Sequence, residues 1–231
     1  MTKDIKPIYD EIRRRIVSLE LTPGTQLREV DLSEQYNVSR TPMRDVLKKL
    51  EEEELIEVRS QRGTYVTRID LQKVKSLMFI RYSTELALMS ELQKTLTEGQ
   101  INIIEGKLDR MRVALRQYAG DEKEAANLYF EKDNELHQTI YGMVGREAVL
   151  DLLNNSFPYY ARYRVLTGFT DEIHLAKAIA THESLIAALK SKDESALKAA
   201  VHHHNYSGLE GIEDAKLRHP DYFVEEPHTK G

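Results

Sequence analysis

The chain has 231 residues, of which 41% are hydrophobic and 31% charged, a composition typical of a globular protein with a substantial core. The net charge of −5 excludes a globally basic nucleic-acid binder, and the absence of cysteine excludes disulfides and thiolate metal sites. No apolar run reaches the roughly 18 residues of a membrane span, and the N-terminus lacks an apolar signal-peptide core, so we expect a cytoplasmic protein without a membrane partner.

The first third of the chain predicts three helices followed by a hairpin. Residues 4–20 carry apolar side chains at helical spacing, which predicts the first helix. Ser39 is the expected N-cap of the third. The remaining elements are a short helix over residues 27–36, the third helix to about Glu54, and strands over 55–58 and 64–67. This order is typical of a winged helix-turn-helix.

Two groups of residues in this region are candidates for DNA contact. Arg40, Thr41 and Arg44 lie at the start of the third helix, on the face opposite its apolar stripe. Recognition helices read base edges from that end, and arginine is the usual guanine reader. Arg62 and Gly63 lie at the wing tip, where an arginine beside a flexible glycine suits a minor groove or a phosphate. The alternative is that these arginines are ordinary solvated charges.

A family resemblance adds to this interpretation. Over about residues 5–68, the chain resembles the DNA-binding domain of the GntR family of bacterial regulators through the segment PGTQLREVDLSEQYNVSRTPMRDVLKKLEEEELIEVRSQRGTYV. The resemblance implies that the candidates named above contact duplex DNA, with Arg28 and Ser39 in support. Glu54 departs from the family pattern, which usually has glycine at this helix C-terminus.

From Leu71 onward the sequence predicts helices only. The first is marked by apolar residues between Val74 and Leu92, and the others cover about residues 101–118, 124–144, 148–165, 171–190 and 194–209. The predicted fold is therefore mainly α, a winged helix-turn-helix followed by an all-helical antiparallel bundle. The expected domains are residues 1–69 and 70–218, with a loose tail over 219–231.

Four metal-binding side chains occupy positions where apolar residues are expected. Asp133 and His137 are four residues apart and share the apolar face of one helix. His182 and His204 lie on the apolar stripes of two helices, at equal distances from a predicted turn centred on Asp193. Equal rise along both helices brings the two rings to one level. Oxygen and nitrogen donors suit Zn²⁺ best in our interpretation, with Ni²⁺, Mn²⁺ and Fe²⁺ as alternatives. Taken singly, a histidine on an apolar face is more often a hydrogen-bonded core residue than a metal ligand.

This half of the chain resembles the FCD ligand-binding domain over about residues 71–212. The segments that carry the resemblance are DNELHQTIYGMVG and THESLIAALKSKDESALKAAVHHHNYS. It implies that Asp133, His137, His182 and His204 are metal ligands beside a cavity for a carboxylate effector. Arg81 matches a family arginine near this pocket, and Arg164 is a second candidate. Two alternatives stay open, an internal ion pair between Arg81 and Glu85 and a purely structural metal.

These features predict a homodimeric transcription regulator, most simply a repressor, that binds a palindromic operator and responds to a small organic or sugar acid. A metal-dependent enzyme tethered to DNA is one alternative. We expect no enzyme, because the chain has no zinc-protease HExxH motif and its predicted bundle helices carry no Glu-x-x-His pair of the sort that builds di-iron sites. A second alternative is an architectural DNA binder without an effector.

Overall fold

The structure is a computed structural model that describes residues 4–118, 122–155, 158–167 and 172–225. Contacts divide the chain into two compact units, each formed by several stretches. The first unit comprises Met1–Val74, Ser156–Leu166 and Ile212–Gly231, and the second comprises Lys75–Asn155 and Thr167–Gly211.

Three short helices build the N-terminal part of the first unit: α1 (Lys6–Val17), α2 (Glu29–Gln35) and α3 (Arg40–Glu52). Their apolar stripes meet in one core because residues three and four apart share a helix face. The buried members of this core are Ile8, Ile12, Ile16, Leu27, Leu32, Met43, Val46, Leu47, Leu50, Leu55, Ile56 and Val66.

The C-terminus of α3 keeps a glycine-type cap although it contains no glycine. Glu54 has a left-handed backbone with a φ of 57°. Its amide donates to the carbonyl of Glu51 at 2.8 Å, and the amide of Leu55 donates to the carbonyl of Leu50 at 2.9 Å. This pair of hydrogen bonds is the Schellman motif, in which glycine usually occupies the left-handed position. The departure from the family pattern therefore preserves the cap at the cost of local strain.

Three antiparallel strands form the wing: β1 (Gln26–Leu27), β2 (Ile56–Arg59) and β3 (Gly63–Val66). Their order in the sheet is β1-β3-β2. In the β2–β3 register Ile56 pairs with Val66 and Arg59 with Gly63. The sequence did not predict β1, because two residues are too short to show alternation. The predicted mainly α fold with a winged helix-turn-helix is confirmed.

Two later helices also belong to the first unit, α8 (Pro158–Thr167, up to Leu166) and α11 (Ile212–Arg218). Arg162 of α8 is fully buried. It donates to the carbonyl of Thr67 at 2.7 Å and to the Thr67 hydroxyl at 3.0 Å. Packing therefore divides the chain differently from the linear boundary expected at residues 69–70.

The C-terminal segment is not loose as far as Val224. The amide of Ile69 donates to the carbonyl of Tyr222 at 2.8 Å, and the amide of Val224 donates to the carbonyl of Ile69 at 3.0 Å. Phe223 is buried. An apolar anchor and paired backbone groups hold this stretch, which corrects the expected loose tail; residues 226–231 lie outside the described part of the chain.

The second unit is a bundle of helices. Its members are α4 (Leu71–Thr95, from Lys75 onward), α5 (Glu98–Gln117), α6 (Glu122–Gly142), α7 (Glu147–Asn155), α9 (Glu172–Ser191) and α10 (Glu194–Tyr206). Most of their buried apolar residues form one cluster, which includes Met89, Leu92, Ile104, Leu108, Met111, Leu136, Ile140, Leu185, Leu189, Leu197 and Val201. A second, smaller cluster consists of Leu88, Tyr141, Leu150 and Leu153. Among the described residues, no helix has both the length and the apolarity needed to cross a membrane.

Two observed helix boundaries can be compared with the predicted ones. The single helix expected over residues 148–165 is two helices, α7 and α8, and α8 begins at Pro158, where proline is favoured. Residues 156–157, inside that predicted helix, and residue 171, the predicted start of the next one, lie outside the described residues. Asp193 caps α10 by accepting from the amides of Ser195 and Ala196, so the turn lies where it was expected.

Candidate metal centre and nucleic-acid interface

The N-terminal end of α3 exposes the side chains expected to contact DNA. Ser39 occupies the N-cap position without a side-chain capping bond, so its exposed hydroxyl is available to a ligand. Arg40 and Thr41 follow and are exposed. Arg44 is 67% exposed and its Nε donates to Oε2 of Glu29 at 2.8 Å. This hydrogen bond raises the pKa of Arg44, which stays charged.

The wing tip has a defined backbone that presents Arg62. The carbonyl of Arg62 accepts from Nε2 of Gln26 at 3.3 Å and from the hydroxyl of Tyr65 at 2.8 Å. Gly63 has a φ of 111°, and a Cβ there would lie 2.7 Å from Nε2 of Gln26. Only glycine fits this turn without strain. Sequence reasoning missed the supporting role of Gln26 because β1 was not predicted.

Arg28 completes the expected DNA-binding set. It is the N-cap residue of α2, and its side chain is 69% exposed with Nη1 3.9 Å from Asp31. All seven expected residues belong to the first unit and have exposed side chains or, at Gly63, an exposed backbone. The arrangement suits a helix for the major groove and a wing beside it.

In the second unit the four predicted metal ligands lie together. Asp133 and His137 of α6 and His182 of α9 are buried, and His204 of α10 is half-buried. Oδ1 of Asp133 lies 2.9 Å from Nε2 of His182 and 3.6 Å from Nε2 of His137. Nε2 of His204 lies 3.2 Å from Nε2 of His137. One ligand atom from each of the three histidines falls within 4.8 Å of the others.

The Nδ1 atoms of His182 and His204, which are not the proposed ligand atoms, each face an oxygen atom. Nδ1 of His182 is 2.9 Å from the carbonyl of Ala178. Nδ1 of His204 is 3.1 Å from the hydroxyl of Thr181, which itself donates to Ala178. A carbonyl only accepts hydrogen bonds, so Nδ1 of His182 carries the proton. Because the Thr181 hydroxyl donates its own proton to the carbonyl of Ala178, it accepts a hydrogen bond from His204, and Nδ1 of His204 therefore also carries a proton.

These tautomers leave lone pairs pointing at negative or electron-rich atoms. In the neutral form of His182 the lone pair on Nε2 faces Oδ1 of Asp133 at 2.9 Å, and this buried nitrogen has no hydrogen bond in the described part of the chain. Nε2 of His204 faces Nε2 of His137. A cation between Oδ1 of Asp133 and the Nε2 atoms of the histidines would be coordinated by lone pairs that otherwise repel one another. Hydrogen bonds from Nδ1, such as those of His182 and His204, are the usual support for imidazole ligands. The donor set fits a divalent transition metal.

The protonation state of His137 agrees with a ligand role. Burial lowers the pKa of His137 to about 4, against the opposing effects of the Glu85 and Asp133 charges. The imidazole is therefore neutral near pH 7 and retains the lone pair that a metal ligand needs.

Arg81, the first expected effector residue, is buried on α4. Glu85, considered as its ion-pair partner, directs Oε1 to Nδ1 of His137 at 3.3 Å and Oε2 to Nδ2 of Asn205 at 2.7 Å. Burial and the Glu85 charge raise the pKa of Tyr141, while the Arg81 charge lowers it. Arg81 and Glu85 therefore both act electrostatically near the Tyr141 hydroxyl.

Arg164, the second expected effector residue, is half-buried and belongs with α8 to the first unit. Sequence reasoning also missed Thr181 and Asn205, which lie beside the group of candidate metal ligands. Each precedes or follows a predicted ligand directly, which was the only available signal.

A winged helix-turn-helix joined to a helical bundle with a buried histidine cluster defines a class of protein, the DNA-binding transcription regulator with a sensory domain. The chain matches the family described as bacterial regulatory proteins, gntR family, over residues 5–66, and the FCD domain over residues 76–206. The protein belongs to the GntR family and carries an FCD domain.

Two relatives illustrate the assignment. The chain is 30% identical over 219 residues to the HTH-type transcriptional repressor RspR of Escherichia coli K12, covering 95% of this chain and 93% of that protein. It is 25% identical over 214 residues to the gluconate operon transcriptional repressor of Bacillus subtilis 168, covering 90% and 84% of the two chains.

Solved structures share the fold. E. coli McbR/YncC matches with a TM-score of 0.60 and 19% identity, over 95% of this chain and all (100%) of that chain. GntR of Rhodococcus sp. RHA1 matches with a TM-score of 0.64 and 17% identity, over 90% and 97% of the two chains.

Proposed function

We propose that the protein is a cytoplasmic, homodimeric repressor whose affinity for a palindromic operator is controlled by a small carboxylate bound beside a divalent metal ion. The observation that carries this proposal is the convergence of Asp133, His137, His182 and His204 in the bundle of a DNA-binding regulator. Two relatives named as repressors support the direction of control.

The proposed DNA contacts come from α3, α2 and the wing. Arg40, Thr41 and Arg44 would enter the major groove, and Arg62 with Gly63 would approach the minor groove or the backbone. Ser39 and Arg28 are exposed beside them and suit phosphate contacts. Two-fold symmetry would place one such surface on each half of the operator, about one helical turn apart.

The proposed metal ligands are the Asp133 carboxylate and Nε2 of the three histidines. Zn²⁺ is our first choice, since one oxygen and three nitrogen donors match its preferences, while Ni²⁺, Mn²⁺ and Fe²⁺ also accept them. When bound, such an ion supplies a positive centre to which a carboxylate can coordinate. Its ligands come from α6, α9 and α10, so it would also tie three helices together.

Arg81 is the proposed partner of the effector carboxylate. Arg81 is buried on α4, one helical turn before Glu85, whose Oε1 lies 3.3 Å from Nδ1 of the proposed ligand His137. The guanidinium fork of Arg81 suits bidentate binding of the carboxylate of a small organic or sugar acid. Arg164 is retained as a second candidate.

The deciding experiment uses full-length protein purified without chelator. Elemental analysis should find about one divalent ion per chain, and selection from random duplex DNA should recover a palindrome. Addition of gluconate, chosen because a relative is named for the gluconate operon, and of a panel of other small acids should shift operator affinity by about 5–150-fold for the true effector. Metal-free protein with undiminished acid response would contradict the proposal, and so would steady turnover of an acid.

Variants of Arg81 separate effector binding from metal binding. Arg81→Met keeps the apolar stem but removes the charge, and we expect it to weaken acid binding at least tenfold while the metal content is unchanged. Calorimetry on wild-type and variant protein measures both. Equal acid affinity in the two proteins would remove Arg81 from the effector site.

A further inference from the structure

Glu85 is a buried carboxylate whose two oxygens have different roles. It lies on α4 and is 1% exposed. Oε2 accepts from Nδ2 of Asn205 at 2.7 Å, and the same amide group also donates to the carbonyl of Val201 at 3.0 Å. Asn205 is thereby held from two sides, and it holds Glu85 in one orientation. A buried carboxylate is costly unless it is partnered in this way.

The other oxygen of Glu85 faces His137, one of the four proposed metal ligands. Oε1 lies 3.3 Å from Nδ1 of His137, and both atoms are buried without a hydrogen bond in the described structure. A cation on Nε2 of His137 makes the Nδ1 proton a better donor, and this contact then completes a carboxylate–histidine–metal arrangement.

Glu85 also differs from the groups behind the other two histidines. Nδ1 of His182 faces the carbonyl of Ala178, and Nδ1 of His204 faces the hydroxyl of Thr181, both of which are neutral. Glu85 therefore brings the second negative charge to the cluster, after Asp133. Two carboxylates balance the charge of one divalent ion, which matters in a buried site where uncompensated charge is expensive.

The four proposed ligands lie on α6, α9 and α10, and none lies on α4. Glu85 thus provides a polar link between α4 and the cluster. Because α4 begins at Leu71, shortly after the wing strand β3, it is the first helix of the bundle along the chain from the DNA-binding residues.

We propose that Glu85, oriented by Asn205, is the charged support of the metal ligand His137 and couples α4 to metal occupancy. This inference rests on the proposed metal site. It predicts that loss of the Glu85 charge weakens metal binding without weakening the metal-free fold, because a buried charge is removed at the same time.

The test measures zinc affinity of full-length protein by competition with a chromophoric chelator. Glu85→Gln keeps the size and an acceptor oxygen, and we expect its zinc affinity to fall by about 10–100-fold. Asn205→Ala should lower the affinity in the same direction by a smaller factor. Gln93→Leu is the matched control, since Gln93 is a buried amide on α4 that donates to the carbonyl of Ala188, and its zinc affinity should equal that of the wild type.

Two further readouts separate the possible outcomes. Melting of metal-free Glu85→Gln should occur at or above the wild-type temperature; a lower temperature with unchanged zinc affinity would show a purely structural role and overturn the inference. Hydrogen exchange should show that zinc protects α4 around residue 85 in the wild type but not in Glu85→Gln. Failure of the wild type to bind zinc or any other divalent ion would instead overturn the proposed metal site.

Discussion

We expect the ion pair between Arg44 and Glu29 to make operator affinity depend on a residue outside the proposed DNA contacts. In the unbound protein, Nε of Arg44 donates to Oε2 of Glu29 at 2.8 Å. The Arg44 side chain is 67% exposed and that of Glu29 is 25% exposed. To read a guanine edge, the guanidinium has to leave this carboxylate. Glu29→Gln removes the charge while keeping the shape of the side chain.

The size of the effect follows from the exposure of the pair. Ion pairs that solvent reaches shift an equilibrium by a factor of only about two to five. We therefore expect Glu29→Gln to bind the operator about two to five times more tightly at low salt. The gain should shrink as salt increases, because screening already weakens the pair in the unbound wild type.

Fluorescence anisotropy with a labelled operator duplex at several salt concentrations measures this gain. Arg44→Ala alone should weaken specific binding by about 10–100-fold if Arg44 pairs with a base. In the Arg44→Ala background, Glu29→Gln should bring no gain, because no pair is left to release. Glu34→Gln is the control, since it removes the same charge from the same helix. A gain of equal size in both backgrounds, or no gain in the single variant, would refute the reasoning.

Three further substitutions test other parts of the structure. Arg162→Met leaves the part-buried carbonyl of Thr67 without the Arg162 donor, and we expect the free energy of unfolding to fall by about 2–3 kcal/mol in urea denaturation; an unchanged midpoint would contradict this. Glu54→Gly relieves the left-handed backbone of Glu54 and should raise the free energy of unfolding by about 0.5–1 kcal/mol after loss of its exposed ion pair with Lys73. A decrease would show that the position is not strained. His182→Ala should release the metal, and unchanged metal content by elemental analysis would exclude His182 as a required ligand.

Local sequence patterns were sufficient for much of the fold because a helix face is a property of neighbouring residues. The four-residue spacing of Asp133 and His137 placed both on the buried face of α6. The equal distances of His182 and His204 from Asp193 brought their rings together, with centroids 4.4 Å apart. The start of α3 was expected at Ser39 for the same local reason, since N-cap preference depends on the residues next to it.

Contacts between distant segments were beyond such patterns. The strand β1 exists only because Gln26 and Leu27 pair with β3. Ile69 forms a β-bridge with Phe223 of the C-terminal segment. Arg162 donates a hydrogen bond to the carbonyl of Thr67. The two partners of each contact are far apart along the chain. No periodicity within one segment reports which other segment will cover it.

The amino-acid sequence by itself determined most of the helices, their buried faces, the basic N-terminal end of α3 and the residues proposed to hold a metal. Only the tertiary structure decided that the two oxygens of Glu85 face His137 and Asn205. The physical reason is that spacing sets the direction of a side chain on its own helix, whereas its partner is chosen by the helices that pack against it.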